Sequence, residues 1–179
     1  IELGIVIQSD GFGRNGIELD GGLVDMQVDE VLDANEVGGF GGFNYNNWFV
    51  FLEFLADTGD AHDGWLGKAR GGYNYVASKS WTLTFGLSTT YADDDYMQTY
   101  FGVSRRDSAR SGLDKYDADE GTKEVGLDFS ATWGFAQRWN LQGLLQISQL
   151  VGDADDDSPV VDEGSETQYF TAVLVVFKF

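Results

Sequence analysis

Read in steps of two, the stretch KEVGLDFSATWGF splits into two sets. Val125, Leu127, Phe129, Ala131, Trp133 and Phe135 fall on one face, and Glu124, Gly126, Asp128, Ser130 and Thr132 on the other. A helix repeats its faces about every 3.6 residues, so this segment is a strand with one apolar and one polar side. The same grid recurs along the chain. Trp81, Leu83, Phe85, Leu87 and Tyr91 oppose Thr82, Thr84, Gly86, Ser88 and Thr90, while Trp139, Leu141, Gly143, Leu145 and Ile147 oppose Asn140, Gln142, Gln146 and Ser148. Trp48, Val50, Leu52 and Phe54 oppose Asn47, Phe49, Phe51 and Glu53. The chain opens with Ile1, Leu3, Ile5 and Ile7 against Glu2, Gly4, Val6 and Gln8, and closes with Thr171, Val173, Val175, Phe177 and Phe179 in alternation. Residues 65–77 and the Gly-rich 38–46 follow the pattern more weakly.

Such strands suit either a soluble sandwich or a membrane barrel. Two features select the barrel. Strands of roughly 9–11 residues are long enough for a tilted crossing of the hydrocarbon layer. Trp48, Trp65, Trp81, Tyr91, Trp133, Trp139 and Tyr169 stand at strand ends, where amphipathic rings favour a membrane interface. No run approaches the roughly 18 apolar residues of a membrane helix. Open edges would strand backbone polar groups in hydrocarbon, so the last strand is expected to pair back to an early one.

The expected fold is therefore an all-β, transmembrane, antiparallel up-and-down barrel forming a single domain over residues 1–179. Its strands are 1–9, 38–46, 47–55, 65–77, 81–91, 123–135, 139–151 and 167–179. The short links YNNW, ASKSW and AQRW are assigned to the periplasm, and the longer Asp- and Gly-rich links 10–37, 56–64, 92–122 and 152–166 to the outside. With Gly at 24 residues, Pro at one and aromatics at 15%, the composition fits long strands joined by turns. The N-terminal IELGIVIQSD lacks the regions of a signal peptide and starts on a strand, as expected of a mature or N-terminally incomplete product.

On this grid Leu83, Phe85, Leu87, Val125, Leu127, Phe129, Leu141, Leu145, Val173, Val175 and Phe177 face lipid. Glu2, Glu53, Lys68, Arg70, Glu124, Asp128 and Lys178 face the lumen. In a small barrel, side chains just fill the interior, so these charges are expected to pair and plug it, with a narrow conducting path as the alternative. The segment YMQTYFGV, residues 96–103, is expected to fold inward as a lid or to extend the barrel beyond the membrane. Arg105, Arg106 and Arg110 behind it are expected to pair with Asp107, Asp114 and Asp117, in competition with lipopolysaccharide phosphate.

The chemistry of catalysis is poorly represented. There is no Cys, and the one His, His62, lies in the Asp-rich link ADTGDAHDG, where a solvent-exposed position is expected. A nucleophilic triad or a multi-His metal centre lacks its parts. Asp153, Asp155 and Asp157 have the alternating spacing that opens an EF-hand. Ser158 replaces the required Gly, however, and Gly164 the bidentate Glu. These residues and Asp93, Asp94 and Asp95 remain candidates only for loose Ca²⁺ or Mg²⁺ binding, the alternative being loop charge bridged by divalent ions to lipopolysaccharide. A net charge of −19 disfavours nucleic acid as a partner.

YMQTYFGVS (96–104), SGLDKYDADEGTKEVGLDFSATW (111–133), LVGDADDDSPVVDEGSETQ (150–168) and the closing FKF resemble, in order, the MipA/OmpV family of Gram-negative outer-membrane proteins. FGRNG (12–16), EVGGFGGFNYNNW (36–48) and AHDGW (61–65) extend a weaker likeness upstream. The resemblance implies an outer-membrane barrel; its expected contacts are lipid and lipopolysaccharide, and the residue inventory leads to no expected cofactor or catalytic residue. It also implies a scaffold between a lytic murein transglycosylase and a peptidoglycan synthase, or an adhesion-related, porin-like surface protein. Family members extend further at the N-terminus, by about two strands, so the wall has eight strands if this chain closes alone and ten if more is added. The terminal Phe179 is similar to the signal by which the assembly machinery selects barrels.

Overall fold

The alternating segments form strands that pair in chain order. The computed structural model describes residues 1–10, 18–19, 22–23, 34–155, 158–162 and 165–178. FGRNG at 12–16, Asp157, Gly164 and Phe179 lie outside them. Along the chain come β1 (Glu2–Asp10), the short ladder of β2 (Glu18–Leu19) with β3 (Gly22–Leu23), β4 (Ala34–Tyr45) and β5 (Trp48–Asp57). β6 (Trp65–Val76), β7 (Trp81–Ala92), β8 (Gly121–Ala136), β9 (Trp139–Leu150) and β10 (Thr167–Phe177) follow.

The main sheet has eight strands in the order β1, β4, β5, β6, β7, β8, β9, β10, with antiparallel neighbours, and curls into a half-barrel. The strand positions agree with the period-two reading, except that β4 begins at Ala34 and not at residue 38. No ladder joins β1 to β10 among the described residues. The seam expected between the last strand and an early one is thus not formed there, and both strands are edges.

One end of the sheet is built from tight turns. Asn46 turns β4 into β5 with φ 53°, a left-handed conformation that Asn tolerates. Asn47 Nδ2 then donates to the Asn74 carbonyl at 2.7 Å, and Asn74 N–H returns the bond to the Asn47 carbonyl at 2.8 Å. Residues 77–80 link β6 to β7, with the Ser78 hydroxyl accepting from the N–H groups of Ser80 and Trp81. Gln137 and Arg138 link β8 to β9.

The opposite end carries a folded lid. Its α1 (Asp94–Phe101) is not a strand extension. Asp93 caps it by accepting from Tyr96 N–H, and Gly102 ends it. This is a standard carboxylate N-cap, and it turns the alternation of YMQTYFGV into a helical face. Ser104 caps α2 (Arg105–Ser111), which closes on Gly112 at φ 81°, where a residue without Cβ is needed. A 3₁₀ turn at Gly152–Ala154 and α3 (Pro159–Asp162) complete the lid.

The two faces of the sheet differ. Phe85, Leu87, Val125, Leu127, Phe129, Leu145, Val173, Val175 and Phe177 are exposed on the outer face, and Leu83 and Leu141 are half-buried there. Aromatic side chains mark its two margins. At the turn end Trp81 stacks on Trp133, Trp48 meets Tyr73 edge-on, and Trp139 lies against Phe177. At the lid end Trp65 is sandwiched between Phe54 and Tyr91.

Candidate functional site

The inner face is organised in layers because cross-strand partners share one level and one side of the pleat. Val6, Gly38, Leu55, Leu66 and Ala92 are successive partners on β1, β4, β5, β6 and β7. Leu55, Leu66 and Ala92 are buried beneath the lid, with Met97 and Phe101 of α1, Ala118, Leu150, Ala154 and Val161 packed on them, and Val6 reaches the same cluster. The lid therefore bridges from β1 to β9 across the end of the curled face.

Polar bonds lock it in place. Asp93 Oδ1 accepts from both Trp65 N–H (3.0 Å) and Tyr96 N–H (3.1 Å), tying the start of β6 to α1. The Ser158 hydroxyl donates to the Phe101 carbonyl, Ala118 N–H to Gln98 Oε1, and the Tyr116 hydroxyl to the Asp153 carbonyl. Ser158, the residue that spoils the EF-hand pattern, is fully buried at this junction.

His62 lies inside this lid junction. The exposed position expected from its acidic neighbours is corrected by the structure: it is 3% exposed, against the rings of Tyr96 and Tyr100. Its Nδ1 accepts from Gly64 N–H, which leaves the Nε2 proton facing Glu36 Oε1 at 3.4 Å. Glu36 is itself buried, and its Oε2 has no hydrogen-bond partner among the described residues. The acidity of the link serves a local purpose. Asp57 accepts from the N–H groups of Gly59, Ala61, His62 and Asp63, gathering the loop around one carboxylate. Asp57 is the last residue of β5, beyond the aromatic margin made by Phe54, Trp65 and Tyr91. Burial pushes the Asp57 carboxyl up, but the four backbone donors outweigh it and bring the pKa down to about 2.

Below the lid floor comes a charged level. Glu53 and Lys68 are direct cross-strand partners, 3.5 Å apart. Thr90 donates to Glu124 Oε1, which Lys123 Nζ approaches to 3.9 Å. Arg70 Nε reaches Asp128 Oδ2 at 3.4 Å across β7, and Gly86 lies between them: a Cβ there would meet Asp128 Cβ at 3.3 Å. Arg70 also rests over the Phe49 ring. Phe49 in turn occupies the space over Gly72, where a Cβ would fall 2.6 Å from the ring. Glu2 and Lys178 are exposed near the turn end, outside this group, and no salt bridge involves either of them among the described residues.

The remaining sequence candidates are dispersed on the lid. The carboxylates of Asp93, Asp94 and Asp95 lie within 4.8 Å of one another, Asp93 being occupied as a cap. Asp153 Oδ2 accepts from Asp119 N–H, and Asp155 sits at the end of the 3₁₀ turn. Arg110 pairs with Asp107 and Lys115 with Asp117, whereas Arg105 and Arg106 point to solvent.

Over residues 3–179 the chain matches the family described as "MltA-interacting protein MipA". It is 32% identical over 115 residues to the "MltA-interacting protein" of Escherichia coli K12, covering 64% of this chain and 45% of that protein, and equally so to the Shigella flexneri protein of the same name. With the "Putative outer membrane protein YiaT" of Escherichia coli K12 it shares 25% identity over 149 residues, covering 83% of this chain and 59% of that protein. The matched region thus spans about half the length of these relatives.

Proposed function

The chain belongs to the MltA-interacting protein MipA family of outer-membrane proteins, and from that premise we propose that it is a non-enzymatic scaffold for envelope enzymes that act on murein. Its eight strands form lipid-facing wall of a single barrel domain, with the tight turns in the periplasm and the lid outside. The outer face supports this placement, being apolar and bounded by aromatic rings at both margins. Because β1 and β10 are edges among the described residues, closing the wall in the bilayer requires that each find a strand partner.

The observation that carries the scaffold reading is the lid. Its packed floor from Leu55 to Leu150 closes the outer end of the inner face, and the Glu53–Lys68 and Arg70–Asp128 pairs stand below. A continuous aqueous path would have to displace both. A murein lytic transglycosylase is the proposed partner because two relatives carry MltA in their names. Contact through the turns at Asn47, Lys79 and Gln137 is the corresponding geometry.

The test is site-specific photocrosslinking in intact cells, with benzoylphenylalanine placed in turn at those three positions and at Asp114 on the lid. A murein hydrolase captured from the turns and not from Asp114 is expected. Capture from none of the turns, or stepwise conductance of the purified protein in planar bilayers, would overturn the reading.

A further inference from the structure

The space under the lid is not filled. A cavity of about 410 Å³ lies on the inner face between β5 and β10, within the size range of small-molecule sites and too small for a lipid with two acyl chains. Its lining comes from strands β5 to β10, one level further from the lid than the floor residues Leu55 and Leu66. Phe51 bounds it on one flank, Leu144 and Phe170 on the other, and the charged level forms its wall.

Two features of that wall point to a ligand. Arg70 makes no hydrogen bond among the described residues. Its Nε only approaches Asp128 Oδ2, which also lacks a hydrogen bond, and 37% of the side chain remains exposed. A guanidinium fork resting over the Phe49 ring, with its donors unused, offers paired N–H groups that match a carboxylate. Around it the charges are mixed, with Lys68 and Arg70 against Glu53, Glu124 and Asp128. A simple anion would be repelled by three carboxylates and a simple cation by two basic groups, whereas a zwitterion satisfies both. The exposed, inward Phe170 (57%) faces the same cavity and offers an apolar surface to the rest of the molecule.

We propose that this cavity binds a zwitterionic small molecule with an apolar body, of the class of an aromatic amino acid or short peptide, admitted from the turn end. Its carboxylate engages the Arg70 fork, its ammonium lies toward Asp128 and Glu124, and its side chain packs between Phe51 and Phe170. The site goes beyond the scaffold reading and does not depend on it.

The test is calorimetric titration of the full-length protein in detergent micelles with the dipeptide phenylalanyl-alanine. Phenethylamine and hydrocinnamate serve as the cation-only and anion-only arms. Saturable dipeptide binding is expected, at least tenfold tighter than either arm. Arg70→Gln should weaken it tenfold or more and Phe170→Gln several-fold, whereas Lys115→Gln on the lid should leave it unchanged. Heat-dependent electrophoretic mobility confirms that each variant is folded. Should Arg70→Gln fail to fold, Phe170→Gln decides, since its ring is exposed and outside the lid core. No saturable binding, equal binding of either arm, or full binding by a folded Phe170→Gln protein overturns the proposal.

Discussion

Leu3, next to the start of β1, and Thr167, the first residue of β10, are the two ends of one unbroken line of cross-strand partners: Leu3, Gly41, Leu52, Ala69, Thr89, Val125, Gln149, Thr167. The line leaves β1 at the turn end and arrives on β10 at the lid end. With strands about 4.8 Å apart rising about 3.3 Å per residue, levelling the two ends of the wall requires a tilt of about 40°. At that tilt the ten steps from Trp81 to Tyr91 rise about 25 Å, the height of an outer-membrane apolar band. Stagger and aromatic margins are independent observations, and they agree on one thickness.

The first prediction concerns depth. Leu127 is 61% exposed, midway along β8. Leu127→Arg should destabilise the protein folded into liposomes by about 2–4 kcal/mol, and Thr122→Arg at the lid end by no more than about 1 kcal/mol. Urea titrations of the two variants check this, and equal costs would contradict the lipid-facing assignment.

The lid should loosen without unfolding the wall. Met97 is fully buried among Leu55, Leu66 and Phe101, so Met97→Ala should cost about 2–5 kcal/mol of lid docking. Limited proteolysis should then cut within residues 94–118 while the heat-shifted band of the folded sheet persists.

Removing the His62 ring leaves a buried carboxylate facing a void. His62→Ala should destabilise the lid by at least about 1–3 kcal/mol, and Glu36→Gln by less, because an amide can still accept from Nε2–H. Amide hydrogen exchange over residues 57–66 measures the difference, and equal effects would argue against the pairing.

Acid should open the Asp57 loop. Its carboxyl titrates near 2 in the folded chain against a usual 3.8, so its contribution is complete above about pH 4 and is lost as pH falls from 3.8 toward 2. Protease sensitivity of residues 58–64 should rise across that window. An Asp57→Asn variant should be sensitive already at neutral pH and change little on acidification.

The wall was legible because a strand writes its two faces in alternate residues, and Trp81, Trp133 and Trp139 mark where strands begin or end. The first four residues of β4, 34–37, were hidden because the inner face there is carried by Ala34 and Glu36, a carboxylate where the alternation shows no apolar side, and the glycines that follow display no face for them to continue. α1 was partly hidden because Tyr96, Gln98 and Tyr100 alternate with Met97, Thr99 and Phe101. The readable sign was the cap Asp93 followed by Asp94 and Asp95, with Gly102 just after the last helical residue, Phe101, a cap-to-stop pattern. His62 could not be placed from its neighbours, since the rings that bury it come from α1 and its carboxylate partner from β4, both distant in sequence. The cavity is equally non-local, because Phe51 and Phe170 meet it from far apart in the chain.

All five tryptophans lie on the outer face, Trp48, Trp81, Trp133 and Trp139 near the tight turns and Trp65 near the lid. Indole emission from this protein is thus a gauge of its surroundings and not of its interior. Brominated acyl chains should quench it, and a molecule seated among the inner-face charges should leave it unchanged.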